Sequence, residues 1–297
     1  MKTYLECIPC FFKQALEAAK ICGADTCVQK RILDDVAKNI LKFSLNSTPP
    51  EMGRVIHKLV KHHTGQRDPY IGIKEKSNNL ALSVRDSLKA KLENSADRLL
   101  AAVELAIAGN IIDYGVKNSL DVAGELKKIL KREHKAIERE DNKFFDYGHF
   151  CEVLDKAKNI LYLADNAGET VFDHILIEEI KRRDKDKDVV YAVKEKPIIN
   201  DALVEDAVLC GIDKIARVIS SGSDAPGTIL SVCSKDFLRL FEQADMVLSK
   251  GQGNFEALSS AKRPVFFLFM AKCHVIAEDV GCSTGDVLLL YDGGTDK

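Results

Sequence analysis

Oxygen-bearing side chains gather at three places where an apolar run gives way to a polar turn. They are Asp165-Asn166-Ala167-Gly168-Glu169, Lys194-Glu195-Lys196-Pro197-Ile198-Ile199-Asn200-Asp201, and Ser249-Lys250-Gly251-Gln252-Gly253-Asn254-Phe255-Glu256. Asp165 and Asn166 offer a carboxylate and an amide oxygen, hard ligands of the kind Mg²⁺ or Mn²⁺ takes. One strand–helix–strand unit would bring Asp201 alongside them. Two carboxylates and an amide suffice for magnesium, which fills the rest of its octahedron with water and substrate phosphate. A purely structural alternative stands beside this one: Asp165 and Asn166 form a turn that caps the next helix, and Glu169 supplies favourable first-turn charge.

Lys250, Gly251, Gly253 and Asn254 put an ammonium and two glycines just before a helix. Backbone N–H groups could approach a phosphate there while the lysine neutralises it. The stretch is not a Walker loop, because no Gly-x-x-x-x-Gly-Lys-[Ser/Thr] occurs, and an ordinary strand–helix turn would look the same. Ser220-Ser221-Gly222-Ser223-Asp224-Ala225-Pro226-Gly227-Thr228 is a second such turn, able to lend hydroxyls or to serve as a plain loop. In the amino-terminal half, Asn110 and Asp113 are spaced to share a helix face, as are Lys74 and Asn78 after Asp68-Pro69-Tyr70. Either group could equally be a surface cap. Cys7 and Cys10 form a Cys-x-x-Cys pair that Cys22 and Cys27 could extend to four thiolates, although the spacing is not that of a zinc ribbon and buried structural cysteines would read alike.

Two kinds of chain must position these groups. Residues 1–157 carry apolar positions at three- and four-residue spacing, predicting helices near 9–21, 27–43, 71–92, 96–109 and 121–134, with another after Thr48-Pro49-Pro50-Glu51. Residues 158–297 alternate amphipathic helices with short, continuously apolar runs at 160–164, 189–193, 218–220, 246–248, 265–269 and 287–291. Such runs suit strands buried on both faces of a parallel sheet. The expected fold is α/β: an all-helical amino-terminal domain packed on a Rossmann-like, doubly wound, mostly parallel sheet in three α/β/α layers. In such a sheet ligands bind beyond the carboxyl ends of the strands, where all three turns would lie.

Composition narrows the function. The 43 Lys and Arg against 45 Asp and Glu leave a net charge of −2, without the cationic field of a dedicated nucleic-acid binder. No apolar run approaches the ~18 residues of a membrane span, and the first residues carry no apolar signal core. The nine cysteines do not read as a secreted disulfide framework. A cytoplasmic protein with no nucleic-acid or membrane partner is expected.

Taken in order, Cys-Ile-Pro-Cys at 7–10, Asp-Pro-Tyr at 68–70, Gly-Asn-Ile-Ile-Asp-Tyr-Gly at 109–115, Asp-Asn-Ala-Gly-Glu at 165–169, Lys-Pro-Ile-Ile-Asn-Asp at 196–201 and Lys-Gly-Gln-Gly-Asn-Phe-Glu at 250–256 resemble the DUF89 family of damage-control, metal-dependent phosphatases. The match is to the prokaryotic branch with the amino-terminal cysteine pair. The resemblance implies a divalent metal (Mg²⁺, Mn²⁺, Co²⁺ or Ni²⁺) held by Asp165, Asn166 and Asp201 between the two halves. It also implies that Lys250 contacts the phosphate of a small phosphorylated metabolite, and that Asn110 and Asp113 reach the pocket from the helical side. On that basis Lys250 and the Gly251, Gly253 and Asn254 turn would hold the phosphoryl oxygens, and Asp113 or Asp201 would take the proton of an attacking water. Three rivals remain: direct attack by Asp165 to form an aspartyl-phosphate, weakened by Ala167 where a second aspartate would stand; a non-catalytic nucleotide-binding module; and a thiol- or zinc-centred protein built on Cys7 and Cys10.

Overall fold

The computed structural model describes residues 1–110, 112 and 143–294. Every helix or strand described before Asn159 is a helix: α1 (Cys7–Ile21), α2 (Thr26–Ile40), α3 (Pro49–Thr64), α4 (Ile71–Glu93), α5 (Arg98–Ala108) and α6 (Tyr147–Lys156). The start of α3 follows its local sequence. Glu51 reaches back to accept from the Thr48 N–H at 2.6 Å, and Gly65 ends the helix in the left-handed region at φ 71. The helix expected near 121–134 lies outside the described residues.

The six expected apolar runs are six strands: β1 (Asn159–Leu163), β2 (Asp188–Val193), β3 (Arg217–Ser220), β4 (Met246–Lys250), β5 (Val265–Met270) and β6 (Val287–Asp292). They form one sheet in the order β3-β2-β1-β4-β5-β6. The first five are parallel and β6 runs antiparallel beside β5. Strand direction is invisible to apolar periodicity, so that reversal belongs to the fold alone. Helices α7 (Glu169–Arg183), α8 (Val204–Leu209), α9 (Lys235–Gln243), α10 (Gln252–Leu258) and α11 (His274–Val280) make the connections.

Side-chain alternation along the strands assigns each face a layer. Ile160, Tyr162, Met246 and Leu248 face α5, α6 and α7, in a cluster with Val103, Phe150 and Ile175. Leu161, Leu163, Val247 and Phe267 face α9, α10 and α11, with Phe237, Phe255 and Ile276. Helices α1, α2 and α3 close around a separate cluster that includes Phe11, Ile32 and Ile56. Apolar contact is continuous across residue 157, since Phe150 and Leu154 of α6 share one cluster with β1. Among the described residues no helix is long and apolar enough to cross a membrane.

Candidate active site

The strand order reverses between β1 and β4, and at that switch point the loops after β1 and β2 are joined backbone to backbone. Ala202 N–H donates to Asp165 O at 2.8 Å and Ala167 N–H to Asn200 O at 2.9 Å, an antiparallel bridge centred on Asn166 and Asp201. Lys194 N–H closes the second loop on Ala202 O at 3.1 Å. The turn is tight enough to hold Ile199 at φ 46, a strained value for a β-branched residue. Asp165, Asn166 and Asp201, drawn from two loops, are thereby brought to one place.

Their electrostatics are those of crowded carboxylates. Burial, followed by the charges of Glu169 and Asp201, pushes the Asp165 carboxyl well above the usual carboxylate range, with Lys272 and Lys194 acting against the shift. A cation among these oxygens would relieve that cost. Among the described residues no three His, Cys, Asp or Glu side chains converge as a metal-binding group. The donor set that fits is two carboxylates and the Asn166 amide, the hard and sparse kind suited to Mg²⁺ or Mn²⁺. Ala167, fully buried, supplies no second acid beside Asp165.

The phosphate-binding expectations fare differently. Lys250 is 1% exposed, and its ammonium donates to Glu169 Oε2 at 3.0 Å and Asp173 Oδ1 at 2.8 Å. It lies beneath the site, on the α7 face of the sheet. Gly251 N–H is spent on Leu268 O at 3.1 Å. Asn254 is fully buried; its amide donates to Ala164 O and Lys250 O and accepts from the Thr228 hydroxyl at 2.8 Å. Gly227 N–Cα packs so closely on Gly253 that an added Cβ would meet Gly253 O at 2.5 Å. In the 220–228 turn the Ser220 hydroxyl donates to Glu195, Ser223 to Gly227 O and Thr228 to Asn254, while Asp224 pairs with Arg54 of α3. Gly251 N–H, the Asn254 amide and the Thr228 hydroxyl thus tie the two glycine turns to each other and to the sheet.

Sequence reasoning missed Lys194. Its ammonium lies 3.6 Å from Asp201 Oδ2 and 3.4 Å from Asn254 Oδ1, at the carboxyl end of β2. The signal was available, since the strand-end rule singles out that position as much as it does Lys250. Lys272, beyond β5, is a second cation within electrostatic reach of Asp165.

The helical half meets this loop through α4 and the end of α5. Asn78 Oδ1 accepts from Gly168 N–H at 2.7 Å while its amide donates to Asp206 Oδ1 at 2.7 Å. Lys74 pairs with Asp68 at 2.9 Å and lies 3.8 Å from Asp206. The face holding Lys74 and Asn78 is thus an internal seam and not a surface cap. Gly168 has no room for a side chain, since a Cβ would stand 2.9 Å from Ile112 Cγ2. Asn110 is buried on the same segment, its Oδ1 without a hydrogen-bond partner among the described residues. Asp113 lies outside them. Asn78→Ala should cost about 1–3 kcal/mol, because it strands a buried N–H and a buried carboxylate, as a shift in urea midpoint would show. A shift under about 0.5 kcal/mol would deny Asn78 that role.

Cys7 and Cys10 do not gather with Cys22 and Cys27 into a metal-binding group among the described residues, Cys22 being buried and Cys27 exposed. Burial pushes both thiols up, and Glu256 and Cys273, within electrostatic reach, add to the shift. Raised thiols are the reverse of an activated thiolate. Burial also raises Glu256 to about 7, opposed by its hydrogen bond from Gln252 and by the Met1 ammonium. The folded state keeps that proton where an unfolded chain releases it near 4.5, so it binds more protons over the interval and stability falls as pH rises from 4.5 to 7. Glu256→Gln should flatten this decline in urea midpoints measured across the interval; an unaltered slope would place its origin elsewhere.

Three comparisons with known proteins bear on this geometry. The model of the damage-control phosphatase ARMT1-like domain matches residues 3–288. An uncharacterised protein of Methanocaldococcus jannaschii is 38% identical over 96% of this chain and 94% of its own length. A damage-control phosphatase of Pyrococcus horikoshii is 36% identical over 98% of both chains. The crystal structure of a DUF89 family protein from P. horikoshii superposes with a TM-score of 0.86 at 35% identity, covering 98% of this chain and 99% of the other.

Proposed function

The chain belongs to the damage-control phosphatase ARMT1-like family, and on that premise we propose that it is a divalent-metal-dependent phosphatase of small phosphorylated metabolites. The observation that carries this reading is the backbone bridge joining Asp165-Asn166 to Asp201 at the switch point of the sheet. Asp165, Asn166 and Asp201 would hold Mg²⁺, Mn²⁺, Co²⁺ or Ni²⁺. When bound, such an ion neutralises charge on the transferring phosphoryl group. Lys194 and Lys272 add positive charge beside Asp165, where phosphoryl oxygens would otherwise meet a ring of carboxylates. The walls made by Asn254, Thr228 and Asn78 hold the two loops still, so that the donors are placed before the substrate arrives. The substrate class is that of sugar phosphates, nucleotides or phosphorylated cofactor fragments.

A release assay crossing these four metals with such esters tests the proposal. Metal-dependent phosphate release from at least one ester is expected, and its absence from every combination would overturn the reading. Binding of a nucleotide without release would favour the non-catalytic alternative.

A further inference from the structure

Lys250 is the most deeply buried cation near the site, and its surroundings say what it does. Its ammonium is shared between Glu169 Oε2 and Asp173 Oδ1, both carboxylates being almost wholly buried, at 2% and 0% exposure. Asp173 is itself fixed, accepting from the Tyr162 hydroxyl on Oδ1 and the Tyr191 hydroxyl on Oδ2, each at 2.7 Å, so the lysine is anchored to β1 and β2. On the other side, Glu169 Oε1 accepts from Asn166 Nδ2 at 2.9 Å. The same nitrogen donates to Asp165 Oδ2 at 2.9 Å.

Both acceptors of that amide are carboxylate oxygens. A flipped amide would set its own oxygen against them, so the nitrogen must face Glu169 and Asp165 and the carbonyl oxygen must face away. That oxygen is the atom a hard cation would take. We infer that Lys250 and Glu169 are positioning residues, a relay from Asp173 through Lys250 and Glu169 that turns the Asn166 amide oxygen toward the metal site. Lys250 pins one oxygen of Glu169, which fixes the rotation of the carboxylate and aims the other at the amide. The lysine acts through protein and makes no contact with substrate phosphate. This inference rests on the metal reading given above.

Mn²⁺ binding to the full-length protein, measured by isothermal titration calorimetry without substrate, tests it. In Glu169→Gln the single amide oxygen is claimed by Lys250 and an N–H₂ group faces Asn166, so the amide is driven to turn. Mn²⁺ affinity should fall about 10–100-fold, the usual loss when the partner of a metal ligand is removed. The paired change Asn166→Asp with Glu169→Gln reverses the hydrogen bond and returns an oxygen to the site, so it should recover most of the affinity. A purely structural role predicts no such recovery. Lys250→Met should weaken Mn²⁺ in the same range while leaving inhibition by inorganic phosphate at saturating Mn²⁺ within about twofold. Because that variant strands two buried carboxylates, Glu169→Gln and its paired change decide the matter if it does not fold. Wild-type Mn²⁺ affinity in folded Glu169→Gln, no recovery in the paired variant, or a Lys250→Met variant impaired only toward phosphate each overturns the inference. A wild-type protein that binds none of the four metals instead overturns the metal reading, and this inference with it.

Discussion

Asp165→Asn is expected to cut metal-dependent phosphate release about 10³-fold or more while the metal-free protein becomes harder to unfold. The first effect follows from removing a charged ligand from the site that must neutralise the transferring group; 10³ corresponds to roughly 4 kcal/mol of transition-state stabilisation. The second follows from the burial of Asp165 and, after it, its crowding with Glu169 and Asp201, which hold its carboxyl well above the usual range. A carboxylate raised in the folded state contributes stability only below that raised value, and the contribution is lost as pH rises through it. Holding that carboxyl in the fold is therefore a cost that asparagine removes, while the amide oxygen still accepts from Asn166. Phosphate release at saturating Mn²⁺ and melting of the metal-free protein at pH 7 measure the two effects. Activity within tenfold of wild type would remove Asp165 from the reaction, and a lowered melting temperature would contradict the crowding.

Gly251→Ala should be almost as damaging to activity and should also destabilise the fold. Gly251 has φ 83 and ψ 155, a region open essentially to glycine, and forcing a side chain into it costs about 1–3 kcal/mol. The added Cβ has nowhere to go, since it would stand 2.1 Å from the Asp165 carboxyl carbon. Either β4 withdraws or the carboxylate swings out of line with Asn166. Activity should fall about 10²-fold, consistent with the sensitivity of such reactions to displacements near 1 Å, together with a lower urea midpoint. A variant that keeps both its midpoint and its turnover would mean that Asp165 is not held against this turn. By comparison, a Cβ at Gly253 would make its closest contact at 3.3 Å, with Pro226 O, so Gly253→Ala is the milder control.

The two glycines show how much of a motif's geometry the chain leaves unwritten. Lys250-Gly-Gln-Gly-Asn254 reads as a phosphate cradle because glycines before a helix bring N–H groups forward. In the folded protein Gly251 is needed to make room for a carboxylate, and its N–H is already taken by Leu268 O. Asn78 and Lys74 share a helix face in any reading, but only the approach of Asp206 and Gly168 converts that face from a surface into a seam.

The sequence by itself determined the six strands, the helices that precede them and the loop ends at which Asp165, Asn166 and Asp201 would meet. Strands buried on both faces must be apolar throughout, and a parallel sheet collects their carboxyl ends on one edge. Only the tertiary structure decided on which side of the sheet each strand-end lysine lies. Lys250 shares the parity of Met246 and Leu248 and so points under the sheet toward α7, whereas Lys194 shares that of Val190 and Ala192 and points to the opposite face. Parity along a strand is written in the chain, but which face carries which helices is set by how the layers pack. Two lysines at equivalent strand ends therefore came to rest on opposite sides of the sheet, one bound beneath Glu169 and the other beside Asp201.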